Sequence, residues 1–138
     1  MFCCQDMFYF TTNEANQILP EVIKKFENAL KKKNEVSKLE KKLQVILETT
    51  DKLDEYIPIK QKLNTALTQF YESSEILEKT GVVIKSIDQG LLDFPSKKFD
   101  EDVWLCWKYG ETEIKFWHEK DSGFMSRKPI EVNDESLV

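Results

Sequence analysis

The sequence is short of the residues that most small-protein chemistry relies on. Its 138 residues include one histidine, three cysteines, four glycines and four prolines. His118 is that histidine, so a histidine-rich zinc site and an HExxH helix are both excluded. Arg127 is the sole arginine among 20 basic residues, which leaves 19 lysines. Cys3, Cys4 and Cys106 form no CxxC pair, adjacent cysteines rarely bridge, and an odd count is no disulfide framework. A reducing cytoplasm is therefore expected. The start, MFCCQDMFYF, lacks a basic leader and a long apolar core, so it does not read as a signal peptide. No apolar run approaches the roughly 20 residues that span a bilayer. With a formal net charge of −5, the chain gains little general attraction to phosphate backbones.

So few glycines and prolines predict long regular elements. Thr11 and Glu14 have capping-box spacing, with Phe10 placed as a hydrophobic staple, so a helix should begin near Thr12. Ile18, Leu19, Val22, Ile23, Phe26, Ala29 and Leu30 form its apolar stripe. Pro20 predicts a kink or a start just before it. Beyond Lys31, Lys32 and Lys33 the stripe resumes as Val36, Leu39, Leu43, Ile46 and Leu47, with a slip in phase across the lysines. That basic run is read first as a solvated helix face and second as an anionic contact. Thr49 to Tyr56 reads as a turn, with Pro58 in the first turn of a second helix. Ile59, Leu63, Ala66, Phe70, Ser73 and Leu77 give that helix a four-three rhythm, and Gly81 is available as its left-handed cap.

The period then becomes strand-like. Residues 82–87, 91–95, 103–109 and 114–118 are expected as strands, with a polar turn over 96–102 and Pro95 closing the second strand. The predicted fold is α+β: a long antiparallel helical hairpin, about 12–80, packed on a four-stranded antiparallel β-meander within about 82–130. The chain is expected to be one domain, with a frayed tail over 133–138.

A tight two-residue turn at Gly110 and Glu111 would put Val103, Leu105, Trp107, Tyr109, Ile114, Phe116 and His118 on the core face. Trp104, Cys106, Lys108, Lys115, Trp117 and Glu119 would share the outer face. Trp104, Trp117 and Cys106 are then candidates for a homodimer interface, and secondly for a stacking platform for single-stranded nucleic acid. Cys106 and His118 invite a nucleophile–base pairing, which this register rejects because it sets them on opposite faces. Arg127 offers a planar fork for a carboxylate or phosphate, or for Glu111, Glu119 or Asp121 within the chain. Ser122-Gly123-Phe124 is a turn that would bring Arg127 back toward His118 and Glu119 at one rim.

Tyr9-Phe10-Thr11, Glu14-Ala15-Asn16, Leu19-Pro20 and the run Gly90 to Pro95 are joined by Leu105-Cys106-Trp107, Gly110-Glu111, Trp117-His118-Glu119, Gly123-Phe124, Arg127 and Pro129-Ile130. Together these resemble the prokaryotic family known as domain of unknown function 2203, from Tyr9 to Ile130. The resemblance implies a small stand-alone cytoplasmic protein with helical-hairpin and strand segments in this order, and it implies no activity.

The residues point first to a non-enzymatic homodimer that binds an anionic ligand or partner at a sheet rim around His118, Glu119, Arg127, Glu111 and Asp93. The first alternative is a small metal-dependent or acid–base enzyme using His118 with Asp93, Glu111 or Glu119. The second is single-stranded nucleic-acid binding through Trp104 and Trp117. The sequence assigns no metal ligand set, no catalytic residue and no cofactor.

Overall fold

The computed structural model describes residues 7–49 and 53–131. Cys3, Cys4 and the tail expected over 133–138 lie outside them. Helix α1, Thr12–Leu47, is 36 residues long, about 54 Å at the standard rise. Both halves of the capping box are present: Glu14 N donates to Thr11 Oγ1 at 3.0 Å, and Thr11 N donates to Glu14 Oε1 at 2.8 Å. These bonds satisfy N-terminal donors that the helix cannot satisfy itself. The helix runs through Pro20, so the later start expected there does not occur. Helix α2, Leu53–Glu78, begins five residues earlier than Pro58 predicts. Asp54 and Glu55 favour that start by meeting the positive end of the helix dipole, and Tyr56 packs on the hairpin core.

The α1 seam is Ala15, Leu19, Val22, Phe26, Ala29 and Val36. Lys33 fills the step between Ala29 and Val36, with its ammonium 5.3 Å from the centre of the Phe70 ring. The change of phase therefore falls at Val36–Leu39, not across the lysines. On α2 the buried positions Ile59, Leu63, Ala66, Ser73 and Leu77, with Phe70 half-buried, keep the expected four-three spacing. The hairpin holds two cores. Val36, Leu39 and Leu43 pack against Ile59, Leu63 and Ala66, while Leu19, Val22 and Phe26 pack with Leu77 against the sheet. Gly81 ends the second helix at φ +107, where an added Cβ would stand 2.8 Å from Phe10.

The sheet is antiparallel with strand order β1-β2-β3-β4-β5: β1 Val83–Ser86, β2 Leu91–Lys98, β3 Glu101–Lys108, β4 Phe116–Glu119 and β5 Lys128–Pro129. The fifth strand, two residues long and ending in proline, carries no sequence signal of its own. Strand β2 passes through Pro95 instead of stopping there. The Pro95 carbonyl accepts from Phe10 N at 2.7 Å, so the missing Pro95 N–H points to the same side, past the end of β1. The polar turn expected over 96–102 shrinks to Phe99 and Asp100, both at positive φ (51° and 65°), as a two-residue type I′ loop requires. Among the described residues, no helix is long and apolar enough to cross a membrane.

The connection from β3 to β4 changes the site. It spans 109–115, not two residues. Trp107 Nε1 donates to the Glu111 carbonyl at 2.8 Å, Lys108 N donates to Glu111 Oε1 at 2.8 Å, and Ile114 N donates to Asn16 Oδ1 at 2.7 Å. The resulting register pairs Trp104 with His118, Leu105 with Trp117 and Cys106 with Phe116. Relative to the tight turn this is a slip of one residue, and such a slip moves every side chain of a strand to the opposite face. Trp117 therefore lies in the core between sheet and helices, while His118 and Phe116 lie on the outer face with Cys106. The separation of Cys106 from His118 expected from the sequence is overturned.

Candidate metal centre

Two strand pairings assemble the site. Asp93 stands opposite Cys106, and His118 joins them from the next strand, paired with Trp104. All three are about 2% exposed. Asp93 interrupts the apolar run of β2 and faces away from the helices, because its neighbours Leu92 and Phe94 take the core side. Lys85 follows Ile84, which packs on the core side opposite Leu92, so strand alternation puts Lys85 on this face. Its ammonium is 3.9 Å from Asp93 Oδ2 and 4.4 Å from the centre of the Trp104 ring. Ser122, Gly123 and Phe124 fold over the outer face and complete, with Leu91, a cavity of about 150 Å³ that all three residues line.

One hydrogen bond places a hydrogen on the histidine ring. His118 Nδ1 is 2.9 Å from the Glu119 carbonyl oxygen, which can only accept, so Nδ1 carries the hydrogen. Nε2 faces Asp93 Oδ2 at 3.0 Å. A neutral imidazole and an ionised carboxylate in this arrangement are two acceptors face to face. A cation belongs between them, either a proton or a metal ion.

Burial raises the Asp93 carboxyl above the ordinary carboxylate range, and the opposing pull of His118 and Lys85 does not cancel it. Burial likewise pushes the Cys106 thiol up to about 12, helped by the Asp93 charge and opposed by the Arg127 guanidinium. A thiol in that range is no nucleophile at neutral pH.

The three donors also lack the order of a nucleophilic triad. There the base uses one ring nitrogen for the nucleophile and the other for the orienting carboxylate. Here Nδ1 is committed to the Glu119 carbonyl and Nε2 to Asp93, so neither ring nitrogen is left for the Cys106 thiol. Asp93 Oδ, Cys106 Sγ and a His118 ring nitrogen lie within 4.8 Å of one another. Donors around a tetrahedral zinc ion stand roughly 3.3–3.8 Å apart, given bonds of about 2.0–2.3 Å. Closing onto an ion therefore takes side-chain shifts of about 1 Å. The Nδ1–H bond to a backbone carbonyl is the outer-shell contact that ligating histidines usually make. One sulfur, one imidazole nitrogen and one carboxylate oxygen suit zinc, cobalt or ferrous iron better than magnesium or calcium.

The rim expected from the sequence does not assemble. Arg127 is taken up within the chain: NH2 is 2.8 Å from Glu111 Oε2 and NH1 3.2 Å from Glu111 Oε1. Its guanidinium lies between the Phe116 and Phe124 rings, 4.0 and 4.3 Å from their centres. Glu119 is exposed and bonded to Lys128 and Ser122, and the Lys128 contact lowers its carboxyl from the ordinary value. The five rim candidates therefore divide: Asp93 meets His118, Arg127 meets Glu111, and the Glu119 side chain joins neither pair. Trp104 is half-buried, with Nε1 donating to the Lys120 carbonyl at 3.3 Å. Trp104 and Trp117 stand on opposite faces, so they form no common stacking surface. Sequence reading missed Lys85 because only the pairing of β1 with β2 brings it beside Asp93.

Replacing Arg127 by lysine keeps the charge but loses the two-pronged bond to Glu111 and the stacking on both rings. Unfolding stability should fall by about 1.5–3 kcal/mol, and Arg127→Lys denaturation curves within 0.5 kcal/mol of wild type, the scatter of ordinary surface changes, would oppose this role.

Asp93 gives the opposite sign. Its folded value is raised, so its favourable share of stability is whole below its unfolded value of about 4 and is lost as pH rises through the raised value. At neutral pH the metal-free protein carries this cost. Asp93→Asn removes it, and the new amide can donate to His118 Nε2. The metal-free variant should melt above wild type by about 0.5–2 kcal/mol equivalent, with the gain shrinking toward pH 4; a lower melting point at neutral pH would contradict the assignment.

A family model described as an uncharacterized conserved protein, DUF2203, matches residues 8–130, and the chain belongs to that family. No curated protein and no solved structure matches the chain.

Proposed function

We propose that the chain is a metal-binding protein, holding one zinc-like divalent ion through Asp93, Cys106 and His118. One observation carries this: His118 Nε2 and Asp93 Oδ2 stand 3.0 Å apart with the buried Cys106 sulfur beside them, so nitrogen, oxygen and sulfur donors all lie within 4.8 Å of one another. A buried carboxylate and histidine could share a proton instead, but a proton needs no sulfur. The charges also balance, since a carboxylate, a thiolate and a neutral imidazole together neutralise a divalent ion.

This reading draws on the metal-dependent alternative recognised in the sequence and leaves the rim-binding one without its cation, because Arg127 is held by Glu111. Three protein donors and one outside ligand is the pattern of sites that exchange a ligand, whereas structural zinc sites are closed by four. The test is equilibrium dialysis of chelator-stripped protein against zinc, followed by elemental analysis. The expected result is one ion per chain and a melting point that rises with free zinc, since a ligand that binds only the folded state stabilises it. Protein that retains no zinc above the protein-free buffer and melts at the same temperature with and without zinc would end this proposal.

A further inference from the structure

Resting on that reading, we propose that the exchangeable ligand is a small monocarboxylate, bound with one oxygen on the metal and the other on the Lys85 ammonium. Size, charge and lining support it. The cavity of about 150 Å³ equals roughly five waters at about 30 Å³ each, well below the roughly 300–1,000 Å³ of pockets that take larger organic ligands. Nucleotides and coenzymes are too large for it.

The charge sum selects an anion. Asp93 and Cys106 neutralise a divalent ion, so the Asp93 oxygen that Lys85 faces at 3.9 Å is then shared with the metal. The Lys85 charge is left to be matched from the cavity side. Arg127 does not compete for that role, being bound to Glu111 at two points. A single ammonium suits one negative charge, and a phosphate dianion would call for more donors. Leu91 and Phe124 supply apolar wall for a short alkyl chain. Lys85 is 42% exposed, so its head can turn from Asp93 to an incoming ligand without unpacking the sheet.

The experiment uses full-length protein loaded with cobalt(II), whose visible absorption reports coordination and whose near-ultraviolet thiolate band reports Cys106. Acetate is the probe. A saturable change in the visible bands is expected, with apparent affinity about tenfold or more weaker in Lys85→Met, the loss of one charge-assisted bond. Lys85→Arg should recover part of it. If the thiolate band never forms, the metal reading fails and this proposal goes with it. If the band forms but acetate leaves the visible spectrum unchanged, the site holds metal and the carboxylate proposal alone is overturned. Equal acetate affinity in wild type and Lys85→Met, or tighter binding of inorganic phosphate than of acetate, overturns it as well.

Discussion

Replacing Cys106 by serine should weaken zinc binding by more than about 100-fold while leaving the chain folded. Losing an outer-shell partner of a metal ligand already costs about 10–100-fold, and Cys106 is proposed as a ligand itself. Serine keeps nearly the same shape in a position that is 2% exposed, and its hydroxyl can donate to Asp93, so the buried carboxylate keeps a neighbour. A hydroxyl does not replace a thiolate for a borderline metal. Isothermal titration with zinc, beside far-ultraviolet circular dichroism, separates loss of ligand from loss of fold. Zinc affinity within threefold of wild type in a folded Cys106→Ser protein would remove the cysteine from the site. His118→Ala should act in the same direction, although it also leaves the Glu119 carbonyl without its donor.

The second large effect is on stability. Trp107 is fully buried and meets Phe26 edge-on at 5.4 Å between ring centres and Tyr109 at 6.0 Å. Truncation of such a residue to alanine costs about 3–5 kcal/mol, out of a total of about 5–15 kcal/mol for a typical domain. A fall in melting temperature of roughly 10–20 °C should follow. The effect should reach the site as well. The Trp107 indole N–H holds the Glu111 carbonyl at 2.8 Å, within the 109–115 connection that sets the β4 register. Trp107→Phe, which keeps most of the packing but not the N–H, should recover much of the stability and little of the lost zinc affinity. If both properties recover together, the indole bond has no part in placing His118.

That connection also marks where the sequence ceased to be informative. Elements governed by local chemistry were legible: the Thr11–Glu14 box, the α2 seam from Ile59 to Leu77, the positive φ of Gly81 and the α+β order all follow from spacing and residue type. The β4 register did not, because 110–119 reads almost equally well in two frames. Each frame mixes aromatic, charged and apolar side chains, and Gly110-Glu111 is acceptable turn chemistry for the shorter one. What decides is tertiary: Asn16 on α1 binding Ile114 N, and Trp107 binding the Glu111 carbonyl. A one-residue difference there separated Cys106 from His118 on paper and joins them in the molecule.

Asp93 left a sharper trace. A charged residue in the middle of Leu91-Leu92-Asp93-Phe94-Pro95 is costly to bury unless something meets it, and the strand order brings Cys106 opposite. The same arithmetic applies to Arg127, where the sequence allowed an internal pair or a ligand and the structure gives the pair with Glu111. Positions that oppose folding while serving no packing role are where function is expected to sit. Asp93 is such a position and Arg127 is not.

The central claim is that sulfur, nitrogen and oxygen from Cys106, His118 and Asp93 share one metal ion. X-ray absorption on zinc-loaded protein tests it most directly, because sulfur and light-atom shells separate by distance. One sulfur at about 2.3 Å with two or three nitrogen or oxygen atoms at about 2.0–2.1 Å is expected, and the sulfur shell should vanish in Cys106→Ser. A first shell of light atoms alone, unchanged by that substitution, would place the zinc elsewhere and contradict the account.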